Sequence, residues 1–204
     1  MQATRGASLN PSERNDHPAP ATRRPPRGRH RRCLLLLAAV AAVCYGLDVT
    51  TKVLAVHHLV PGRPVRVVGD LLTLDLIRNP GAAFSTGTSY TAVLSCVAIA
   101  AAVAVVWTAR RLASTGWALG LGFLLAGVLG NLTDRVFREP GVLQGHVVDF
   151  LRLPHWPVFN VADMCINVAA AFIVVQAVRG ISVDGSRGGR ERRRRDPDGP
   201  DGAS

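Results

Sequence analysis

Three aspartates, Asp134, Asp149 and Asp163, lie within thirty residues of one another, in the stretches GNLTDRV, GHVVDF and FNVADM. They fall between and at the ends of two apolar runs of membrane length. A carboxylate costs roughly 2.5–3.5 kcal/mol at the centre of a spanning helix, so acids near lipid are usually functional or held by partners. Three together point to a polar site at one face of a membrane. Two carboxylates forced close can share a proton, which is the chemistry of an acid–base pair that hydrolyses peptide bonds.

The neighbours of each acid allow blander readings. Asp163 follows Asn160 by three residues, where Asn160 makes a helix N-cap and an acid in the first turn suits the helix dipole. That accounts for Asp163 but not for Asp149 beside it. Asp149 is bracketed by Val147, Val148, Phe150 and Leu151, has no cation adjacent in sequence, and is the acid whose pKa desolvation is expected to raise. Asp134 has Arg135 next to it for structural pairing. Asp48 and Lys52, spaced i, i+4, share one helical face and read first as a structural ion pair near a helix end. Asn131 and Asn160 can donate and accept hydrogen bonds from fixed positions, and so hold a carbonyl or fix a carboxylate; Asn79 can do the same or simply make the Asn79-Pro80-Gly81 turn.

Four apolar runs must position these groups. The first starts at Cys33 and is interrupted by Asp48, Thr50, Thr51 and Lys52 before Val53–Val56; the others span 91–109, about 117–132 and about 161–178. Each is near the ~20 residues a spanning helix needs. Glycines 116, 120, 122, 127 and 130 would let helices approach closely. Between the first two runs, residues 64–76 alternate weakly and predict short strands over the membrane surface. The architecture expected is an all-α membrane protein of four transmembrane helices with a small extracytoplasmic β-rich cap.

The chain has 204 residues and a net charge of +10, but fifteen of its 24 basic residues are arginines of segments 1–32 and 179–204. With 5% aromatic residues and long apolar runs, that charge reads as topology and attraction to anionic lipid rather than nucleic-acid binding. Four spans put both termini, and the Arg110–Arg111 turn, on one side, which the positive-inside rule makes cytoplasmic. Asp48, Lys52, Asn79, Asn131, Asp134, Asn160 and Asp163 then meet at the outer face, with the Asp149 loop. Segments 1–32 and 181–204 are expected to be disordered basic tails around a membrane domain at 33–180. Arg31-Arg32 before Leu34–Val43 and Cys44 resembles a secretory or lipoprotein signal, but Val43 is not the small residue such a cleavage site wants and three more spans follow, so the first helix is read as uncleaved. The four cysteines and six histidines show no metal-ligand spacing, and no metal or cofactor is expected.

Five motifs, taken in order, resemble those of the lipoprotein signal peptidase (signal peptidase II) family of bacterial membranes. They are Asp48-Val-Thr-Thr-Lys52, Arg78-Asn79-Pro80-Gly81-Ala82-Ala83-Phe84, Gly130-Asn131-Leu-Thr-Asp134-Arg135, Val147-Val148-Asp149-Phe150 and Phe159-Asn160-Val-Ala162-Asp163, and the resemblance covers about residues 33–180. It implies an aspartic endopeptidase that removes signal peptides from prolipoproteins just before the lipid-modified cysteine. Asp149 and Asp163 would be its catalytic dyad. Asn79, Asn131, Arg135 and Asn160 would support the substrate backbone, and Asp48, Lys52 and Asp134 the framework of the site. The implied setting is the bacterial cytoplasmic membrane, with prolipoprotein substrates and membrane lipids as partners and the protein expected to act as a monomer. The segment Leu151–Pro157, over the substrate, is shorter than the family leads one to expect. Two other readings stay open on the residues alone: a membrane protein that uses the acids to bind or move a cation or proton, and a scaffold whose acids are all ion-paired.

Overall fold

In the computed structural model, which describes residues 27–81 and 89–187, four long helices carry a three-stranded antiparallel sheet at one end. The elements are α1 (Arg27–His58), β1 (Val65–Val68), β2 (Leu72–Asn79), α2 (Ser89–Ala109), α3 (Thr115–Phe137), β3 (Val147–Arg152) and α4 (Val161–Val178). All four helices are long and apolar enough to cross a membrane. Many of their large side chains, among them Leu35, Val43, Val103, Trp107, Val174 and Val178, are exposed. In water such a surface would aggregate; against lipid it is the expected exterior.

α3 is the central helix and packs mainly on α4 and α1, with α2 against its remaining side. Its glycines explain how. A side chain at Gly120 would meet Phe172, one at Gly122 the backbone of Leu37, and one at Gly127 the backbone of Ala162. At Gly130 a methyl group would run into the carboxylate of Asp48 and the Ala162 side chain, so only glycine lets α1, α3 and α4 meet at the level of the acids.

Asp48 and Lys52 share one face of the first helix, as their spacing implies, and are buried inward and paired with each other. Two expectations are corrected. α1 begins at Arg27, inside the segment read as a disordered tail, and residues 181–187 form a turn closed by the Ile181–Arg187 bridge. Residues 1–26 and 188–204 lie outside the described residues. Finally, the segment around Asp149 is a strand and not a loop: β3 pairs with β2, setting Ile77 opposite Asp149 and Asn79 opposite Val147. Val148 and Phe150 enter a core with Leu76 and Ala55, which fastens the sheet to α1.

Candidate active site

At the sheet end of the bundle the polar side chains form two adjoining clusters. The first is ionic. The Lys52 ammonium lies 2.9 Å from Asp48 Oδ2 and 2.9 Å from Asp134 Oδ2, and donates to Asn131 Oδ1 at 3.0 Å. Arg138 pairs with the other oxygen of Asp134, one helical turn on. Asp48 accepts the Ala162 N–H at 2.8 Å, and Asp134 accepts the Val148 N–H at 3.2 Å. One ion network therefore ties α1 to α3, to the start of α4 and to β3. Asp48 and Lys52 are 0% and 1% exposed, so neither charge could stand there alone.

The second cluster holds Asp149 and Asp163 on amides. Asn160 Nδ2 donates to Asp149 Oδ1 at 2.6 Å, and Asn79 Nδ2 donates to Asp149 Oδ2 at 2.9 Å. Asn131 Nδ2 donates to Asp163 Oδ1 at 2.9 Å, and the Asn160 backbone N–H to Asp163 Oδ2 at 3.2 Å. The Asp163 N–H returns a bond to Asn160 Oδ1, completing a capping box on α4. The N-cap reading of Asn160 and Asp163 is thus correct as local structure, and the same residue also grips Asp149. The amide orientations are fixed by their other bonds: Asn79 Oδ1 accepts the Gly81 N–H at 2.8 Å, and Asn160 Oδ1 accepts that of Asp163, which leaves each NH2 to face Asp149.

The environments of the two acids differ. Asp149 is buried on the edge strand β3, and burial pushes its carboxyl up to about 6; the Asn79 hydrogen bond opposes this, repulsion from Asp163 adds to it, and the Asn160 bond and Lys52 oppose it in smaller measure. Asp163 sits at a helix N-terminus and borders a cavity of about 570 Å³ lined by Trp156, Phe159, Met164 and Asn167 among others. Leu151–Phe159, the segment over this cavity, is a tight hairpin: the Leu151 N–H donates to Phe159 O at 2.8 Å and the Phe159 N–H to Leu151 O at 3.0 Å.

Every candidate from the sequence thus lies in one of the two clusters or beside them. Arg135 does not pair with its neighbour Asp134, which is taken by Lys52 and Arg138; its guanidinium instead lies against Gly81, within electrostatic reach of Asp149 and Asp163. Ala82, Ala83 and Phe84 of the motif at Asn79 lie outside the described residues. Sequence reasoning missed Arg138, whose i, i+4 spacing from Asp134 is the signal that singled out Asp48 and Lys52. It also missed Thr91 and Ser95, whose hydroxyls donate to Pro80 O at 2.6 Å and Leu143 O at 2.7 Å, pinning the turn after β2 and the 138–146 loop to α2. Nothing local in the sequence points to those two.

The sequence profile described as signal peptidase (SPase) II matches residues 40–179, which contain both clusters. The chain belongs to the signal peptidase II family. It is therefore a protease and a multi-pass bacterial membrane protein, and the ion-translocation and scaffold readings fall away. Among its relatives, the lipoprotein signal peptidase of Rhodococcus jostii (strain RHA1) is 49% identical over 180 residues, covering 88% of this chain and 90% of the relative. That of Mycobacterium avium (strain 104) is 52% identical over 159 residues, covering 78% and 87%. A solved bacterial membrane enzyme, determined by the in meso method at 1.9 Å resolution, superposes with a TM-score of 0.64 at 25% identity, over 70% of this chain and 92% of that one. The fold of that membrane enzyme is thus shared over most of this chain, and the basic tails lie beyond the profile match.

Proposed function

We propose that this signal peptidase is an aspartic endopeptidase that removes signal peptides from prolipoproteins, cutting just before the diacylglyceryl cysteine, with Asp149 and Asp163 as its catalytic pair. The observation that carries the reading is that both carboxylates hang from Asn160, at 2.6 and 3.2 Å, and that neither has an ion-pair partner among the described residues. Charge counting supports a shared proton. Asp48, Asp134, Asp149 and Asp163 face Lys52, Arg135 and Arg138, four acids against three cations, so one retained proton makes the island neutral.

Burial makes Asp149 the proton holder, while Asp163, at the helix N-terminus and beside the cavity, is the ionised base. Asp163 takes a proton from water as the oxygen attacks the scissile carbonyl. Asp149 gives its proton to the carbonyl oxygen, and a neutral gem-diol forms. Asp163 then protonates the departing nitrogen, the C–N bond breaks, and Asp149 recovers its proton from the diol hydroxyl, so the pair ends as it began. Arg135 and Asn131 stand beside the acids as donors for the substrate backbone. The cavity next to Asp163 opens among exposed apolar residues of α4, such as Met164 and Val168, so acyl chains can stay in lipid while the peptide bond reaches the acids.

The fifteen tail arginines support placing both termini in the cytoplasm and the acids near the opposite face. The test is processing of a diacylglyceryl-modified prolipoprotein by purified Asp149→Asn and Asp163→Asn proteins. Each should lose at least about 10³-fold in kcat, within the range of general acid–base catalysis, while accumulating in the membrane. Turnover near that of the parent by either folded variant would rule the pair out.

A further inference from the structure

The tail end of the bundle, remote from the acids, carries a basic cavity that the peptidase reaction does not use. Its volume is about 360 Å³, and it is lined by Arg29, Ser114, Thr115, Gly185 and Arg187 among others, with no acidic residue on its wall. Three elements build it. At the start of α1, His30 Nδ1 bonds Leu112 O at 2.8 Å and so docks the helix on the α2–α3 turn, bringing Arg29 there. The turn at 181–187 is fastened to the same place, since the Ala113 and Ser114 N–H groups both donate to Val183 O, at 2.9 and 3.2 Å, and Trp117 Nε1 donates to Ile181 O at 2.7 Å. This brings Arg187 to the wall of the same cavity. Gly185, at φ +79, lies against Ala113 and beneath the Arg29 guanidinium.

The third element is the N-terminus of α3. Ser114 stands at its N-cap in extended conformation, yet its hydroxyl makes no capping bond. Ser114 is only 8% exposed and borders the cavity, and its hydroxyl has no hydrogen-bond partner among the described residues. The N–H groups of Thr115, Gly116 and Trp117 likewise make no backbone hydrogen bond among the described residues. A serine at an N-cap ordinarily satisfies one of those donors itself. Here the Ser114 hydroxyl, Thr115 at the start of α3 and the side chains of Arg29 and Arg187 border one space, a donor set complementary to a phosphate group. Among the described residues, the nearby acid Asp184 is committed to Ser186 and lines a separate, neighbouring cavity.

We propose that this cavity binds a phosphate-bearing anion, held by Arg29, Arg187, Ser114 and the first turn of α3. Such a site would fasten the start of α1 and the 181–187 turn to the α2–α3 connection, at the membrane face to which both described chain ends come. Two sources share this chemistry, the headgroup of an anionic phospholipid and a free phosphate.

The test uses the full chain, purified without phosphate. One arm measures retention of phosphatidylglycerol against phosphatidylcholine by native mass spectrometry; the other measures the rise in melting temperature with inorganic phosphate. The double variant R29Q/R187Q should weaken binding by about tenfold or more, because two charge-assisted bonds are lost. The control R110Q/R111Q removes the same charge from the adjoining turn and should bind like the parent. Ser114→Ala, which removes no charge and no capping bond, should weaken binding about threefold while leaving the melting temperature without ligand unchanged. Response in the lipid arm alone assigns a headgroup, in the phosphate arm alone a free anion, and either supports the site. Equal losses in the R29Q/R187Q and R110Q/R111Q proteins, or no binding of either probe, would overturn it.

Discussion

The two acidic clusters share a few ångströms of one membrane protein and are built on opposite plans. Asp48 and Asp134 have cations at hand, Lys52 at 2.9 Å from each and Arg138 on the far oxygen of Asp134. Among the described residues, Asp149 and Asp163 have only neutral donors, Asn79, Asn131 and Asn160, with Arg135 standing off. A buried carboxylate beside an ammonium is fixed in charge, and it serves as a strut. A buried carboxylate held by amides keeps its position but not its charge state, so it can exchange a proton during a reaction. Asn131 joins the clusters, accepting from Lys52 and donating to Asp163, so the strut orients the reactive pair.

Mutation should separate the plans. The largest effect expected is on the amide-held side: Asp149→Asn and Asp163→Asn should abolish turnover and spare folding, as set out above. On the ion-paired side the loss should fall on folding instead. Lys52→Met leaves Asp48 and Asp134 facing each other without their shared cation, and Asp48→Asn leaves Lys52 underneutralised; removing one partner of a buried pair costs about 3–5 kcal/mol. The double variant should recover part of that loss, because no unpaired charge remains at the α1 position. A double-mutant cycle on thermal stability in detergent, with turnover counted per folded molecule, decides the matter. An Asp48→Asn protein as stable as the parent yet inactive would move Asp48 into the catalytic set.

Proton dependence sharpens the comparison further. Because burial raises the Asp149 carboxyl to about 6, its proton is lost as pH rises through that value, and kcat/KM should fall on the alkaline side there. The Asn79 amide stabilises the ionised form of Asp149, so Asn79→Ala should move the alkaline limb upward while lowering kcat by about tenfold, consistent with one lost hydrogen bond. Stability has the sign of a raised acid: the native state holds this proton more tightly than the unfolded chain, so its contribution declines as pH rises from 3.8 toward 6. An alkaline limb that stays put in Asn79→Ala would detach Asp149 from that proton.

How much of this was legible in the sequence follows from range. The four spans were readable because each needs only local length and apolarity, and the meeting of the acids followed from threading those spans back and forth. β3 was not readable, because its partner β2 lies about seventy residues away and an aspartate sits in the middle of its apolar run. The strand forms there because Val148 and Phe150 fill a core over α1 while Asp149 finds two amides. Arg135 was paired with Asp134 for adjacency alone, whereas on a helix the fourth residue on, Arg138, shares the face. The early start of α1 at Arg27 was hidden by arginines, which read as a solvated tail until the docking of His30 on Leu112 is known.

The smallest effect belongs to the apolar seam beneath both clusters, where polar-looking atoms have no part in either plan. Cys44 and Cys165 face each other between α1 and α4, below the level of Asp48, while Cys33 is buried at the tail end and Cys96 faces outward on α2. A free buried cysteine packs as a small hydrophobe. Replacing all four with alanine should therefore lower the stability modestly, by about 1 kcal/mol for each buried thiol removed. Turnover per folded molecule should stay within about twofold of the parent, since no thiol hydrogen-bonds Asp149 or Asp163 and the amides that do are untouched. Restoring Cys44 and Cys165 alone should return most of the lost stability and change turnover no further. If the four-alanine protein is folded but inactive, and activity returns with that pair, the seam under the ion network governs the acids above it and the separation of strut from reactive pair fails.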